Sequence, residues 1–414
     1  MSKLDKLICE LCPNGVEYRA LGDVCKLITG ATPSKKLSSY WNDGTIPWMS
    51  SGEVSLKRVW STEAKITQLA YDKTSTTLVP PHSIVIALAG QGKTRGKVAI
   101  TEIELCTNQS LCSIVCSNEL DYKFLYYYLD GKYEELRSIS NGDGSRGGLS
   151  LKILSPYKIP VPPLDVQREI VRILDDFTEQ TEQLKASLTA ELTARKKQYE
   201  YYRDMLLTFD VFGGGTSKCE RRTLGDIAKF TYGYTDKAKN AGDVRFIRIT
   251  DINDSGYLSP SDAKYIDLTE ESKKYLLKKG DLLLARTGAT YGKTLFFDSD
   301  EPAVYASFLI RIVLDNAVIR SRYYWHFSKS SLYWEQAEKY VSKGGQQQFN
   351  ANAISRVKVP IPSLEVQDRI INVLDNFDAI CSDLNIGLPA EIEARQKQYE
   401  YYRDKLLTFK EAKA

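Results

Sequence analysis

Gly288, Gly292, Lys293 and Thr294 lie within the stretch ARTGATYGKTLFF, Ala285 to Phe297, and are residue types that cradle a nucleotide phosphate. A phosphate-binding loop needs four residues between its first glycine and the Gly-Lys-[Ser/Thr], so that successive backbone N–H groups curl round the anion and a helix N-terminus follows. Only three residues separate Gly288 from Gly292, and Thr287 stands where the glycine is required. Leu295, Phe296 and Phe297 then lead into DSDEP, which reads as a strand end and a turn rather than a phosphate-capping helix. An NTP-dependent enzyme built on the Lys293 loop is therefore the weakest of the functional readings.

Other chemistries fare no better. Eight cysteines are scattered, with one Cys9-x-x-Cys12 pair and a looser group at Cys106, Cys112 and Cys116. A zinc site needs further close ligands, but His82 and His326 are the only histidines and neither stands in ligand spacing, so reduced, mostly buried thiols are expected and no metal. The same shortage speaks against Ser-His-Asp, Cys-His and histidine-ligated metal catalysis. There is no Asn-Pro-Pro or Asp-Pro-Pro core and no G-x-G-x-x-G turn, so no methyl-donor or dinucleotide cofactor is implied, and no catalytic residue is assigned.

The chain has 414 residues, 43% hydrophobic and 26% charged, the profile of a soluble globular protein of two or three domains. Neither a signal peptide nor a membrane-length apolar run is visible, so a cytoplasmic location with no membrane partner is expected. A net charge of +3 means that any nucleic-acid surface must arise from local placement of Lys and Arg.

What must position such residues is a repeat. KIPVPPLDVQREIVRILDDF from Lys158 corresponds to KVPIPSLEVQDRIINVLDNF from Lys358, and ARKKQYEYYRDMLLTF from Ala194 to ARQKQYEYYRDKLLTF from Ala394. The register is 200 residues throughout, and 28 of the 52 pairs from 158/358 to 209/409 are identical. The seam Ile170, Leu174, Phe177, Thr181, Leu184, Leu188, Leu192, Arg195, Tyr199, Tyr202, Leu206 and Phe209 steps by three and four, the pattern of a long coiled-coil-like helix with Leu184, Leu206 and Phe209 as core. In the second copy Gly387-Leu388-Pro389 predicts a break, with Pro389 opening a new segment.

The segments before each helix are related more loosely. LGDVCK at Leu21 answers LGDIAK at Leu224, and SIVIALAGQGKTRGKVAI from Ser83 answers DLLLARTGATYGKTLFF from Asp281. Glycine-rich loops follow at Asn141 and Ser342, and FDVFGGGTSKCE supplies a flexible link around Gly213 to Gly215. The order is globular unit, helix, globular unit, helix: a pseudo-twofold molecule that holds two different readers on a common frame, which suits a bipartite target.

With its KxPxPxLxVQxxI entries at Lys158 and Lys358, its twice-used QYEYYRD…LLTF, its ELCPNGVEYRALGDV opening and RFIRITDI at Arg245, the whole chain resembles the specificity subunit of type I restriction-modification enzymes. The resemblance implies an α+β fold: two mixed α/β target-recognition domains related by an internal pseudo-twofold repeat and spaced by two long antiparallel helices. Residues 1–157 and 213–357 would be the domains, and 158–212 and 358–414 the helical spacers. It also implies that each domain binds half of a split, usually asymmetric double-stranded DNA site, that two methyltransferase subunits dock on the helices, and that restriction subunits join them. The family's specificity subunit does no catalysis itself. A stand-alone two-domain DNA-binding regulator is the alternative of a different class.

Glycine admits close backbone approach to a phosphate and Lys or Arg neutralises it, which makes Lys93, Arg95 and Lys97 in the first unit and Arg286, Tyr291 and Lys293 in the second the DNA-binding candidates. Arg248 and Thr250 are added from the RFIRITD strand, with Trp48 and Ser50 at the roughly equivalent place; ordinary solvated charges in tight turns are the competing account. On the helices the polar residues Gln198, Glu200, Arg203 and Asp204 recur as Gln398, Glu400, Arg403 and Asp404. If they lie off the seam, a shared partner surface explains them; an intramolecular polar network is the alternative.

Overall fold

The computed structural model describes residues 2–90, 94–140, 148–209, 219–342, 348–382 and 387–412. The chain divides into two compact units, Met1–Lys185 with Ala394–Ala414, and Ala186–Glu393. Each unit thus takes one globular module, the first half of the helix that follows it, and the closing segment of the other repeat's helix.

The first module holds a sheet in the order Cys25–Thr29, Leu111–Cys116, Ile84–Ala87, Val98–Thr101, Arg58–Val59; the second holds Ala228–Tyr232, Leu309–Leu314, Leu282–Ala285, Thr294–Phe296. The first four strands of one match the four of the other in order and in antiparallel pairing. Both modules add a second sheet with one parallel pair, Ile46–Met49 on Leu105–Thr107 and Val244–Ile247 on Ala303–Tyr305. Strands Ile84–Ala87 and Leu282–Ala285 are buried at every position, which explains why they read as continuous apolar runs rather than alternating ones.

Aromatic-rich helices, Tyr122–Gly131 and Ser321–Phe327, cover the main sheets and carry much of each core. Both spacer helices are entered through a short strand that pairs antiparallel with the start of its module, Lys158–Pro160 on Tyr18–Ala20 and Lys358–Ile361 on Glu220–Thr223. The glutamine of the entry motif acts as a clamp. Gln167 Nε2 donates to the carbonyls of Pro162 and Glu119 while its Oε1 accepts from Asp121 N–H, and Gln367 repeats this with Pro362, Val318 and Arg320 N–H. Both glutamines are fully buried, so the satisfied amide fixes the angle at which the helix leaves the module.

The first spacer helix runs without interruption from Leu164 to Thr208, 45 residues free of interior glycine or proline and rich in Ala, Leu, Glu, Lys and Arg. Phe209, with φ of +59°, follows its last residue in a left-handed conformation. The second is described as Leu364–Ser382 and Leu388–Leu406, with Pro389 in the first turn of the latter, where its missing N–H costs no hydrogen bond. Residues 383–386 lie outside the described residues, as do the glycine linker and most of both glycine-rich loops.

Within each unit two helix segments pack antiparallel. Phe177 meets Tyr399 and Tyr402 at ring-centroid distances of 5.6 and 5.9 Å in one, and Tyr202 stacks on Phe377 at 5.5 Å in the other. The seam is buried where it meets a module, at Ile170, Leu174 and Tyr199, and opens between them. Leu184, expected in the core, is 40% exposed, and Leu206 and Phe209 are only partly buried while the neighbouring Leu207 is fully so. A periodicity argument assumes a partner along the whole stripe, whereas here the modules supply much of the burial and bury most deeply at its ends.

Candidate nucleic-acid interface

The glycine–lysine stretches are β-hairpins. Leu282–Ala285 pairs antiparallel with Thr294–Phe296, and Ile84–Ala87 with Val98–Thr101. Gly292 (φ +79°) and Gly96 (φ +85°) occupy the matching place in each turn, where a left-handed backbone is required; a Cβ on Gly292 would also strike the Trp334 ring. Since a strand follows Lys293, no helix N-terminus faces the turn and the phosphate-loop geometry is missing.

The sequence candidates are placed unevenly. Lys93 lies outside the described residues. Arg95 is half-buried, with its Nε enclosed and without a hydrogen-bond partner among the described residues, and Lys97 is half-buried beside Gly96. Lys293 Nζ is 2.6 Å from Asp254 Oδ1, and that lysine holds the exposed Asp254 carboxyl below its ordinary value. Tyr291 packs edge-on against Trp334.

Arg248 follows the strand Val244–Ile247 and is held by carboxylates: its Nη2 lies 2.7 Å from Asp251 and 3.3 Å from Asp262. Asp251 also accepts from the Arg248 N–H, just as Glu53 accepts from Ser50 N–H, so both positions anchor the same short 3₁₀ turn. Thr250, inside that turn, is exposed, and Trp48 is buried with its indole N–H on the Ala31 carbonyl. Arg286 differs from Arg248 in contacting no carboxylate among the described residues; its Nε donates to the Ser307 carbonyl, and the Tyr232 and Phe308 rings flank the guanidinium.

The repeated helix residues split into two groups. Arg203 and Arg403 are buried, each bonded to the following aspartate at 2.9 Å and lying over the tyrosine one turn earlier. Arg403 further bonds Asp130 of the first module at 2.7 Å, and Asp204 accepts from Ser331 N–H at the start of the helix Ser331–Tyr340. Gln198 and Gln398 accept from Arg195 and Arg395, again identically in both copies. Glu200, Gln398 and Glu400 remain exposed, and with them Tyr201 and Tyr401, 65% and 63% exposed.

Tyr201, Tyr401, Tyr232 and Phe308 are candidates that sequence reasoning missed. Tyr201 and Tyr401 stand next to the seam residues Tyr202 and Tyr402 in a tyrosine pair, where spacing alone could have put them outside; nothing in the sequence marks Tyr232 and Phe308, which come together only across the sheet. Among the described residues no group of His, Cys, Asp and Glu could hold a metal ion, and no helix is long and apolar enough to cross a membrane.

Two modules of one strand order with different surfaces, each closed by helix segments that repeat almost verbatim, define a tandem-repeat protein. Residues 13–194 and 216–394 match the type I restriction modification DNA specificity domain, and the chain belongs to that family. It is a specificity subunit of a type I restriction-modification system, the recognition component and not an enzyme. It is 30% identical over 406 residues to a putative type I restriction enzyme specificity subunit of Haemophilus influenzae, covering 95% of this chain and 96% of the relative. It is likewise 30% identical over 437 residues to the EcoR124I/EcoR124II specificity subunit of Escherichia coli, covering 99% and 97%. Its fold matches a chain from a solved structure concerned with assembly and conformational transition of the type I R-M system, with a TM-score of 0.68, 15% identity and coverage of 95% and 98%. The HsdS subunit of Thermoanaerobacter tengcongensis matches with a TM-score of 0.51 and 16% identity over 96% and 97% of the chains.

Proposed function

We propose that this chain selects the DNA sequence for a type I restriction-modification complex, that residues 1–157 and 213–357 each read one half of a bipartite, asymmetric site, and that the helical spacers 158–212 and 358–414 set their separation and hold two methyltransferase subunits. Restriction subunits join that assembly, which acts in the cytoplasm. The observation that carries this reading is the contrast between a shared frame and unlike surfaces. Strand order, hairpin glycines, glutamine clamps and helix termini recur in both units, while surface positions that the frame leaves open differ. Leu88 and Ser110 stand at the strand positions of Arg286 and Phe308. Two readers of different sequence need that combination.

Backbone contacts would come from Lys97, Arg95 and Lys293, with Lys93, Thr250 and Tyr291 beside them and Arg248 acting by fixing its turn. For docking, Glu200, Gln398 and Glu400 offer an exposed face, with Gln198 beside it and Arg203, Asp204, Arg403 and Asp404 holding the helix against its module.

The test is to co-express the chain with its methyltransferase and map methylated bases, then exchange residues 1–157 for the same unit of a relative. One half of the recognised sequence should change and the other stay. Both halves changing together would refute two independent readers, and DNA binding without any methyltransferase partner would favour a stand-alone regulator.

A further inference from the structure

We infer that Arg286 is a base-reading residue of the second module, a preset fork for one guanine in the half-site that module recognises. The inference rests on the DNA-reading role proposed above and adds which side chain reads and what it reads.

Arg286 leaves the end of the strand Leu282–Ala285 at the rim of the main sheet. Its guanidinium carbon lies 5.3 Å from the Tyr232 ring centroid and 5.6 Å from that of Phe308, within the range of cation–π attraction. Nε donates to the Ser307 carbonyl at 3.0 Å. The backbone is pinned as well: Arg286 N–H donates to the Phe308 carbonyl and its carbonyl accepts from Phe349 N–H. Orientation is thus fixed by two rings and three hydrogen bonds. Arg286 is half-buried, and its two terminal nitrogens have no hydrogen-bond partner among the described residues.

That arrangement differs from a surface charge at rest. Arg248 in the same module turns its fork onto Asp251 and Asp262, and Lys293 faces Asp254. At Arg286 no carboxylate among the described residues is in place to compete. Tyr232 and Phe308 are 42% and 51% exposed, so both flanking rings reach the surface. A planar guanidinium presents its terminal N–H groups as a fork that fits guanine O6 and N7 in the major groove, and a fork already immobilised loses little entropy on binding.

The first module shows that the frame does not need this corner. Ala87 pairs with Leu111 as Ala285 pairs with Leu309, and Cys112 with Thr29 as Ile310 with Tyr232. Leu88, Ser110 and Thr29 therefore occupy the places of Arg286, Phe308 and Tyr232, with no ring and no cation. The reader is specific to the second half-site.

The experiment uses the chain in complex with its methyltransferase. The bipartite site is mapped from methylated bases, and binding is then measured to every single-base variant of that site at several salt concentrations. Arg286→Ala should abolish discrimination at one G·C pair of the second half-site, roughly ten- to a hundredfold, and leave the first half-site untouched. Arg286→Lys keeps the charge and the stem but not the fork, and should relax the same position. Phe308→Ala should weaken that preference while Arg286 is still present. Uniform weakening at every site with a salt slope reduced by about one would make Arg286 a phosphate contact and overturn the inference. Unchanged base preferences in folded Arg286→Ala and Arg286→Lys complexes would overturn it too. If the wild-type complex recognises no two-part site at all, the function proposed above fails first.

Discussion

The two units solve one problem with different chemistry. Each must seat a module helix against a pair of spacer segments, and equivalent positions do it in each. In the first unit Lys123 Nζ and Tyr127 Oη donate to Asp175 at 2.6 and 2.7 Å, the Thr178 hydroxyl donates to Tyr399 at 3.0 Å, and Arg403 reaches Asp130. In the second unit Arg322, His326 and Lys329 stand for Lys123, Tyr127 and Asp130, and Asp375 and Asp378 for Asp175 and Thr178. There His326 lies 2.7 Å from Asp375 and 3.0 Å from Tyr199, Arg322 bonds Asp375 and Tyr257, and Tyr257 and Lys329 both bond Asp378. The module anion Asp130 has become a cation, Lys329, and the spacer hydroxyl Thr178 has become an anion, Asp378. Arg203 and Arg403, on the nearly identical closing segments, meet unlike partners as a result. The repeated frame keeps positions 123/322 and 127/326 on 175/375, while the exchanged charges re-pair, Asp130 with Arg403 and Lys329 with Asp378.

The comparison predicts unequal costs. Asp378→Ala should destabilise the second unit by about 3–5 kcal/mol, because Lys329 would sit nearly buried without its carboxylate. Its counterpart Thr178→Ala removes only neutral hydrogen bonds, to Tyr399 at 3.0 Å and a longer one to Tyr127 at 3.4 Å, about 1 kcal/mol. Next, Arg403→Ala should cost the first unit about 2–3 kcal/mol, since Asp130 loses its partner, whereas Arg203→Ala should cost about 1, its bonded partner being the adjacent Asp204. Hydrogen exchange read separately from each unit measures all four. Equal losses at either pair would erase the asymmetry.

Acid sharpens the same contrast. Burial lowers His326 to about 4 and Lys329 to about 7, in both cases despite a neighbouring carboxylate. With His326 neutral, its Nε2–H donates to Asp375 and its Nδ1 accepts from the Tyr199 hydroxyl. A base whose folded value is depressed binds fewer protons folded than unfolded between the two values, so stability rises with pH across that interval. The second unit should therefore gain stability from about pH 4 to 6.5 through His326 and again from about 7 to 10.5 through Lys329, by about 3 kcal/mol for the first step. Asp375, Arg322 and Tyr199 face His326, and Asp378, Arg322, Arg203 and Tyr257 face Lys329; these groups set the size of each step. Tyr127 and Asp130 leave the first unit without either step, and His326→Gln should remove the acid step from the second. An acid step of the same size in both units would place its origin elsewhere.

How much of this could be read beforehand follows from what repeats encode. The helix repeat and its α+β setting were legible because a seam sustained over five heptads and matched at 28 of 52 positions leaves few other folds. So was the hairpin at Gly292, since a glycine spacing that fails for phosphate still suits a turn. The glutamine clamp stood in plain view inside VQ, but apart from the nearby proline carbonyl its partners are a backbone carbonyl and a backbone N–H 46 to 49 residues away, which no local pattern reveals. Arg203 and Arg403 suit a shared partner surface only if packing leaves them free, yet both are buried against their modules, because a helix packed on a partner helix and on a module has two inner faces. The Tyr232–Arg286–Phe308 corner draws on three strands, and only the sheet brings them together.

The smallest predicted effect separates the two hairpins. Lys97 and Lys293 occupy corresponding places after Gly96 and Gly292, but among the described residues only Lys293 has a carboxylate, Asp254, at 2.6 Å. A lysine that neutralises one phosphate releases about 0.9 of a counterion, so Lys97→Ala should reduce the salt slope of log K by roughly that amount. Lys293 must first leave Asp254, and releasing an exposed pair costs at most about 1 kcal/mol, so its contact forms but its gain is partly offset. Lys293→Ala should then weaken DNA binding less than Lys97→Ala at low salt, with no effect on any nucleotide turnover. Asp254→Asn frees the lysine, and in that background Lys293→Ala should match the Lys97 variant in both affinity and slope. Titrating the four complexes over a salt series decides the matter. A Lys293→Ala slope that stays unchanged, with Asp254 present or replaced, would take Lys293 off the DNA and leave the second hairpin's electrostatics to Asp254 alone.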